Sequence, residues 1–553
     1  METSSKSLGD DSRFQSNEPS NPSSLFNTTN RASEILLQRG PKELTGEAIC
    51  MICLISAVLL LAFLGTSVTI YQFFFKDKEE KIKSLRNDSS GNFTNKVTVF
   101  EKGKKSNQDP AWLEDFKSFL KCFCLIDNGR KILNFASSKE QIEYFNGLRV
   151  IGTAWVILIH TGTVYTQKLK NEEEIKPFLQ YKAAQFYLNG SFAVDIFFVI
   201  SGFLNAYCFY YKYIRSNGDI SWTFFYLKRY LRLTPLYMIV LGFYTTLFSY
   251  TGTGTACPTY DTHPACKKQW WWHFLYLNNF TKVQNTCMGW TWYLAADMQF
   301  YIISPLFMIS LIRRPRFGCA LTFVTICGSC VTNFLLTYQF DLIDGFSRLE
   351  FHLGDPHFAK RFSEFVNIVY VKPYTRISAY LVGLLLAIFL CQARINKRRI
   401  KNSMVTLYCG WITTVCFMWI CIFSLYKREE VLSETAFYNG TKHLFFSLSL
   451  AWMIYVLYTG QAELINRCLS WNGFLPLSRL SYSVYLIHML IVTRRIQQTE
   501  GGMDFSYMFW ISLYIYTFFW GYVAAFIASL LFEIPTINCL DWLSKKKKKE
   551  RSN

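Results

Sequence analysis

Two ionisable residues, Arg149 and His160, lie in the apolar segment "GLRVIGTAWVILIH" at residues 147–160. Their separation of eleven residues, at about 100° each, makes about 1100°, or three turns plus about 20°. Both side chains therefore lie on one face of a predicted helix, about 16 Å apart along its axis. We expect Arg149 near one membrane boundary and His160 deep in the span, toward the opposite half.

Each of these two residues also has a structural interpretation. An arginine at the end of a span can extend its guanidinium to the membrane surface, and a histidine can make a hydrogen bond between packed helices. Their shared face weakens both interpretations. An imidazole accepts a proton near neutral pH and a guanidinium commonly holds phosphate, so the pair predicts general-base chemistry beside a phosphorylated molecule.

Polar residues also interrupt two other apolar segments. Asp195 lies in "FAVDIFFVISGFL", and Asp297 and Gln299 lie in "WTWYLAADMQFYIISP". Ionisable groups are costly inside a membrane and usually serve a site or pair with another charge. Both interpretations stay open for Asp297, whereas a structural partner is favoured for Asp195.

A further polar face is predicted in "SRLSYSVYLIHMLIV", where Ser481, Tyr485 and His488 are spaced i, i+4 and i+7. His488 can serve a site or the helix packing, and both interpretations stay open. The other histidines fall in predicted loops or at interfaces, without cysteines or carboxylates at zinc-ligand spacing, so no metal site is expected. They are His263, His273, His352, His357 and His443.

The composition indicates what elements must position these residues. Of the 553 residues, 51% are hydrophobic and 18% aromatic, and the apolar residues fall in blocks of about twenty, the length that crosses a bilayer. The net charge of +19 does not indicate nucleic-acid binding, because Lys and Arg cluster in short segments between the apolar blocks. These features are typical of a multi-pass membrane protein.

The predicted fold is an all-α polytopic membrane protein with about eleven transmembrane helices. We expect a short disordered lumenal N-terminus at 1–48, a first span at 49–74, a cytosolic linker at 75–140, a transmembrane domain at 141–535 and a basic cytosolic tail at 536–553. The other ten spans are predicted at 147–166, 187–210, 231–250, 290–312, 317–338, 374–393, 404–426, 441–460, 476–494 and 507–531. In the linker, residues 111–123 form an amphipathic segment that either lies in the membrane plane or packs against another cytosolic loop.

The loops between spans predict the orientation of the chain. Lys and Arg cluster in alternate loops and in the C-terminal tail, which places those segments in the cytosol. The opposite loops contain Cys257, Cys266 and Cys287 and the sequons at Asn279 and Asn439, which suit an oxidising lumen. Asn279 and Asn439 are therefore glycosylation candidates.

The chain resembles the membrane acyltransferase-3 family, and within it the animal nose-resistant-to-fluoxetine branch. The resemblance runs from about Cys122 to Pro535. It includes "NGLRV" with the paired arginine and histidine, "VDIFFVISGFL", "RYLRLTPLY", "CMGWTWYLAADMQFYIISP", "KPYTRISAYLVGLLL", "SRLSYSVYLIH" and "FEIP". It implies a ten-helix acyltransferase core, here preceded by one extra span.

The resemblance also implies an activity. Family members move an acyl group from a donor, commonly acyl-CoA, to a hydroxyl of an acceptor, which would make this chain a membrane-bound O-acyltransferase. His160 would be the general base and Arg149 would position the donor. The implied substrate-binding candidates include Trp292 and Arg376, together with the polar residues Asp195, Asp297, Gln299 and His488, and Cys266 and Cys287 would form a lumenal disulfide.

The expected partners are acyl-CoA, an unidentified hydroxylated acceptor and the lipid bilayer, with no nucleic acid and no tightly bound cofactor. The expected compartment is the endoplasmic reticulum or another endomembrane, with the plasma membrane as the alternative. A second functional hypothesis is a non-catalytic lipid or small-molecule transport protein with the same fold.

Overall fold

The computed structural model describes residues 43–88, 110–136, 142–252, 262–353, 355–396, 402–499 and 501–552, and the fold lies within Thr45–Asn553. It consists of helices joined by short connections. The described residues form no β-strand, and the one isolated bridge pairs Leu169 with Met503. Of the N-terminus predicted to be disordered, 1–48, residues 1–42 lie outside the described residues, and Gly46, Glu47 and Ala48 are already helical. Cys257 also lies outside the described residues, in the segment 253–261.

Helices of 18 residues or more make up most of the fold. They are α1 Gly46–Asp88, α4 Tyr144–Thr166, α7 Phe192–Arg215, α8 Trp222–Thr246, α10 Trp292–Arg313, α11 Pro315–Gln339, α14 Pro373–Ile395, α15 Met404–Phe423, α16 Leu432–Tyr458, α18 Phe474–Gln497, α19 Tyr507–Ala528 and α20 Ile534–Ser552. Proline stands at the first position of α11 and α14, where its missing N–H would have no helical partner anyway.

Shorter helices form the connections. They are α2 Ala111–Lys121, α3 Leu125–Leu133, α5 Lys176–Leu179, α6 Ala184–Leu188, α9 Pro264–Phe274, α12 Leu349–His352, α13 Phe358–Phe365 and α17 Glu463–Leu469. Single 3₁₀ turns lie at Glu172–Ile175, Phe248–Tyr250, Asn278–Phe280, Val283–Asn285 and Gly289–Thr291, and π-helical turns at Val366–Tyr370 and Ser529–Glu533.

The prediction of an all-α polytopic membrane protein is confirmed. Within the described residues, nine helical segments are long and apolar enough to cross a membrane, and a tenth is added if α16 and α17, bent by 100°, count as one span. One predicted span has no counterpart among these candidate membrane-spanning helices. It is the span at 231–250, which corresponds to α8. The first half of α8 contains Arg232 and also Lys228 and Arg229, which fall in the predicted loop between the spans at 187–210 and 231–250.

Close backbone contact between α7 and α14 organises the centre of the fold. A Cβ on Gly202 would lie 2.1 Å from the Tyr380 carbonyl oxygen, and a Cβ on Gly383 would lie 2.1 Å from that of Val199. Only glycine permits these two helices to approach so closely. The largest apolar cluster forms around this contact, with Phe203 and Leu384 fully buried.

The linker segment predicted to be amphipathic forms α2 and packs against two helices. Leu120 is buried, and its carbonyl lies where Gly65 of α1 leaves room. Phe119 contacts the ring of Trp542 in α20. Trp112 is 69% exposed on the helix, so one face of α2 stays open. The contacts agree with packing against other parts of the chain, while the open face keeps the in-plane interpretation available.

Candidate active site

Helix α4 contains both residues of the predicted pair. It is continuous from Tyr144 to Thr166, so Arg149 and His160 lie on one face, about 16 Å apart along the axis. Gly152 faces α7, where a Cβ would lie 3.1 Å from the ring of Phe197. Both side chains of the pair are half-buried. The helix therefore presents a cation near one end and an imidazole three turns further in.

The imidazole of His160 contacts a second imidazole. His160 Nδ1 lies 2.7 Å from Nε2 of His488, which belongs to α18 and is fully buried. His488 Nδ1 lies 3.1 Å from the carbonyl oxygen of Val484. A carbonyl oxygen only accepts, so Nδ1 of His488 donates to it, and Nε2 of a neutral His488 must then accept a proton from Nδ1 of His160. In this arrangement Nε2 of His160 has no proton and is free to act as a base.

An aromatic wall connects this histidine pair to the region of Arg149. The ring of Tyr485 lies 6.1 Å from that of His488 and 5.6 Å from that of Tyr293. The Tyr485 hydroxyl donates to the Trp290 carbonyl, which fixes its position. Of the polar face predicted on α18, Tyr485 and His488 therefore lie at the candidate site, and Ser481 donates within its own helix to the Leu477 carbonyl.

Arg149 lines two adjoining cavities, of about 850 and about 570 Å³, which share Arg149, Leu204, Cys208 and Lys212. We call them together the basic cavity. Its cationic lining residues are Arg149, Lys212, Arg215, Lys228, Arg229, Arg232 and Arg394, and no described lining residue is acidic. Tyr207, Tyr211 and Tyr458 add aromatic surface. The basic cavity is suited to a polyanion that also carries a flat ring.

Asp297, a predicted substrate-binding residue, is paired with an arginine of this cavity. Arg229 Nη2 donates to Asp297, and Ser201 Oγ donates to the same carboxylate at 2.6 Å. The guanidinium also lies 4.3 Å above the ring of Tyr301. The position of Arg229 between two predicted spans indicates a cytosolic loop, so the sequence alone does not predict it as a site residue. Asp297 is the signal that could have identified Arg229, because a buried carboxylate needs a cation as its partner.

Asp195 and Arg376, two other predicted binding residues, are paired with each other. Arg376 Nη1 lies 3.3 Å from Asp195 Oδ1, and His443 Nδ1 lies 2.7 Å from Asp195 Oδ2. All three side chains are at most 4% exposed and join α7, α14 and α16. Trp292 is 7% exposed, and its ring lies 5.5 Å from the guanidinium of Arg376. The geometry indicates a structural role for these residues. His443 lies within the helix α16 and not in a loop.

Gln299 also makes structural contacts, with a residue predicted to be glycosylated. Its Nε2 donates to the Tyr276 carbonyl at 2.8 Å and to Asn279 Oδ1 at 2.9 Å, while Asn279 Nδ2 donates back to Oε1. Asn279 and Asn439 are each 1% exposed, and Asn439 Nδ2 donates to the Ile343 carbonyl. Both asparagine side chains are therefore buried and hydrogen-bonded, and glycosylation at these two positions stays a prediction.

The structure joins Cys266 and Cys287, the cysteine pair implied by the resemblance, in a disulfide. The bridge closes the connection between α8 and α10. Beside it, His273 Nδ1 lies 2.6 Å from the Tyr237 hydroxyl, and burial lowers the pKa of His273 to about 4. A neutral His273 and the disulfide together hold this connection against α8.

The chain is similar in sequence to several known proteins. Residues 142–538 match the family described as an acyltransferase domain. The chain is 29% identical over 470 residues to nose resistant to fluoxetine protein 6 of Caenorhabditis elegans, covering 79% of this chain and 56% of that protein. It is 26% identical over 401 residues to regulator of hypoxia-inducible factor 1 of the same organism, covering 68% and 75%. A putative peptidoglycan O-acetyltransferase of Bacillus subtilis is 25% identical over 326 residues, covering 57% and 46%.

No solved structure gives a significant match. The family match extends over well more than half of the chain and includes both Arg149 and His160. The chain therefore belongs to the acyltransferase-3 family of membrane proteins, and within it to the nose-resistant-to-fluoxetine branch.

Proposed function

We propose that this protein transfers an acyl group from an acyl-CoA to a hydroxyl of an acceptor molecule. The observation that carries the proposal is the contact of His160 Nδ1 with His488 Nε2, which leaves Nε2 of His160 as the free nitrogen, on the same helix face as Arg149 in the basic cavity. General bases of this kind need a free lone pair and a fixed ring orientation.

The basic cavity supports acyl-CoA as the donor. The nucleotide end of CoA carries several phosphate charges and an adenine ring, which match the seven cations and the tyrosines of the lining. Its long pantetheine arm separates these phosphates from the thioester. The arm can extend along α4 from Arg149 toward His160, a distance of about 16 Å.

The proposed reaction needs one proton acceptor and no further reactant. His160 Nε2 takes the proton from the acceptor hydroxyl as its oxygen attacks the thioester carbonyl. The new C–O bond forms and the C–S bond breaks, so that CoA leaves as a thiolate and takes up the proton from His160. The products are an ester and free CoA, and His160 returns to its starting state.

Purified protein should release free thiol from acyl-CoA when a membrane lipid extract supplies acceptors. His160→Ala should lower this rate by about 100- to 10,000-fold, the usual contribution of a general base. The matched control is His357→Ala, because His357 is an exposed histidine that lines none of the described cavities. Acyl transfer at the full rate by His160→Ala would refute the proposal. Lipid transport that survives this substitution, without acyl-CoA binding, would favour the transport hypothesis instead.

A further inference from the structure

A separate cavity of about 480 Å³ lies at the Thr166 end of α4, opposite to the end that contains Arg149. We call it the distal cavity. Its wall includes residues of α4 from Ile159 onward, residues of α6, α12 and α13, and parts of the connections between them. We propose that the distal cavity binds the acceptor, and that the acceptor is an apolar alcohol. This inference rests on the proposed acyl transfer and names the substrate class of the same site.

The distal cavity begins within one turn of the histidine. Ile159 precedes His160 in sequence, and Thr163 follows it by three residues, a rise of about 4.5 Å. Gln167, also in the lining, is seven residues from His160, or about 20° away around the helix. The basic cavity contacts the same helix face at Arg149. His160 therefore lies along α4 between Arg149 of the basic cavity and Thr163 of the distal cavity, although it lines neither of them. In this proposal the acceptor hydroxyl reaches His160 from the end opposite to the donor.

The lining indicates the chemical class of the ligand. Most of the surface comes from aliphatic and aromatic side chains, such as Leu349 and Tyr187. Eleven of its sixteen residues are of these two kinds, and the five polar ones are Thr163, Thr166, Gln167, His352 and Asp355. A sugar or a peptide would need a larger share of polar groups than this wall offers. The volume lies within the range of pockets for small molecules. The distal cavity therefore favours a compact lipid or a similar molecule with an apolar body.

One buried polar group in the wall has no partner. The side chain of His352 is 6% exposed, and its Nε2 makes no hydrogen bond within the described chain. The nearest carboxylate oxygen, of Glu430, is 3.8 Å away. Burial lowers the pKa of His352, so the ring is neutral at neutral pH. Leaving such a group unpaired is costly, and a neutral polar group on the ligand would satisfy it.

The inference is tested with a hexadecanol analogue that carries a diazirine and an alkyne, added to the full-length protein in phosphatidylcholine liposomes. After irradiation, mass spectrometry should find the label in peptides containing residues 159–169 and 346–353. Leu349→Trp should fill the distal cavity and lower labelling by about tenfold or more, equivalent to about 1.4 kcal/mol of binding. Leu335→Trp is the matched control, because Leu335 is 55% exposed on α11, away from the cavity.

Thr163→Leu, which narrows the cavity from the helix side, serves as a second variant if Leu349→Trp does not fold. Label found only in other peptides, or unchanged labelling of a folded filling variant, would overturn the inference. Labelling displaced by palmitoyl-CoA but not by unlabelled hexadecanol would also overturn it, because the cavity would then hold the donor's chain.

The same probe separates this inference from the proposed function. Labelling does not require His160 as a base, so His160→Ala should be labelled as strongly as the unmodified protein. Normal labelling without any acyl transfer would contradict the proposed function alone. Acyl transfer with no label at the distal cavity would contradict only the assignment of the acceptor site.

Discussion

The contact between His160 and His488 determines which nitrogen of the candidate base is free. The Val484 carbonyl accepts from Nδ1 of His488, so the proton of His488 is on Nδ1. Nε2 of His488 then accepts from Nδ1 of His160, so the proton of His160 is also on Nδ1. His488 does not touch substrate in this arrangement, so it is a positioning residue. The sequence predicts a polar face that contains His488 but not the role of this residue, because the contact joins residues 328 positions apart and only the fold reveals it.

Substitutions of His488 should separate positioning from packing. In His488→Gln, the side-chain oxygen can replace Nε2 as the acceptor for His160, so we expect kcat within about tenfold of the original. His488→Phe keeps a ring but removes the acceptor, and kcat should fall by about 100-fold while KM for acyl-CoA stays unchanged. Steady-state kinetics with a thermal-stability control measure both. Equal losses in the two variants would indicate a packing role instead.

Some of the features that position the helices can be predicted from the local sequence, whereas others cannot. Apolar blocks of about twenty residues predicted the long helices because length and hydropathy are local properties. The limits of α8 are harder to predict, because an arginine such as Arg229 is typical of a loop unless its ion pair with Asp297 is known. Ion pairs such as Asp195 with Arg376, 181 positions apart, depend on packing that no local pattern encodes.

The close contact between α7 and α14 leads to a prediction on stability. Gly383→Ala places a methyl group against the Val199 carbonyl, so the helices must separate, and stability should fall by about 1–3 kcal/mol. Gly328→Ala on α11 is the matched control, because no atom lies within 4 Å of its added Cβ. Thermal unfolding in detergent measures both variants. A Gly383→Ala protein as stable as this control would show that the helices tolerate separation.

The disulfide leads to a second prediction at this scale. It closes a loop with a sequence separation of 21, so replacing both Cys266 and Cys287 by serine should cost about 3 kcal/mol by the loop-entropy argument. The same double substitution at Cys409 and Cys416, both exposed and unbridged, should have little effect. Unfolding followed with and without reductant would test this. Insensitivity of the unmodified protein to reductant would argue against the bridge.

The positive charge of the molecule is distributed unevenly, with a cluster of cations in the basic cavity. The net charge of +19 is typical of a membrane protein with basic loops. Seven of the lysine and arginine residues line the basic cavity. Composition alone could not distinguish charges that orient the chain from charges that line a cavity. The sequence therefore predicts Arg149 as part of the site but none of the other six cations.

Binding of acyl-CoA should depend on these cations and on salt. Arg394→Gln should raise KM for acyl-CoA by about three- to tenfold, and added salt should raise KM less in this variant than in the unmodified protein. Arg467→Gln is the charge-matched control, since Arg467 is exposed and pairs with Glu463 outside the cavities. A KM that rises equally in both variants would indicate a general effect of net charge.

Helix α4, with the basic cavity at one end and the distal cavity at the other, has a thermodynamic consequence for the proposed reaction. In the proposed reaction, the donor and free CoA exchange at the Arg149 end of the helix, while the alcohol and its ester exchange at the Thr166 end. The equilibrium then combines two concentration ratios, that of acyl-CoA to CoA and that of ester to alcohol, and each ratio is set at a different end of one helix. A higher ratio of acyl-CoA to CoA at the first end would therefore drive ester formation at the second, although only the acyl group passes between them.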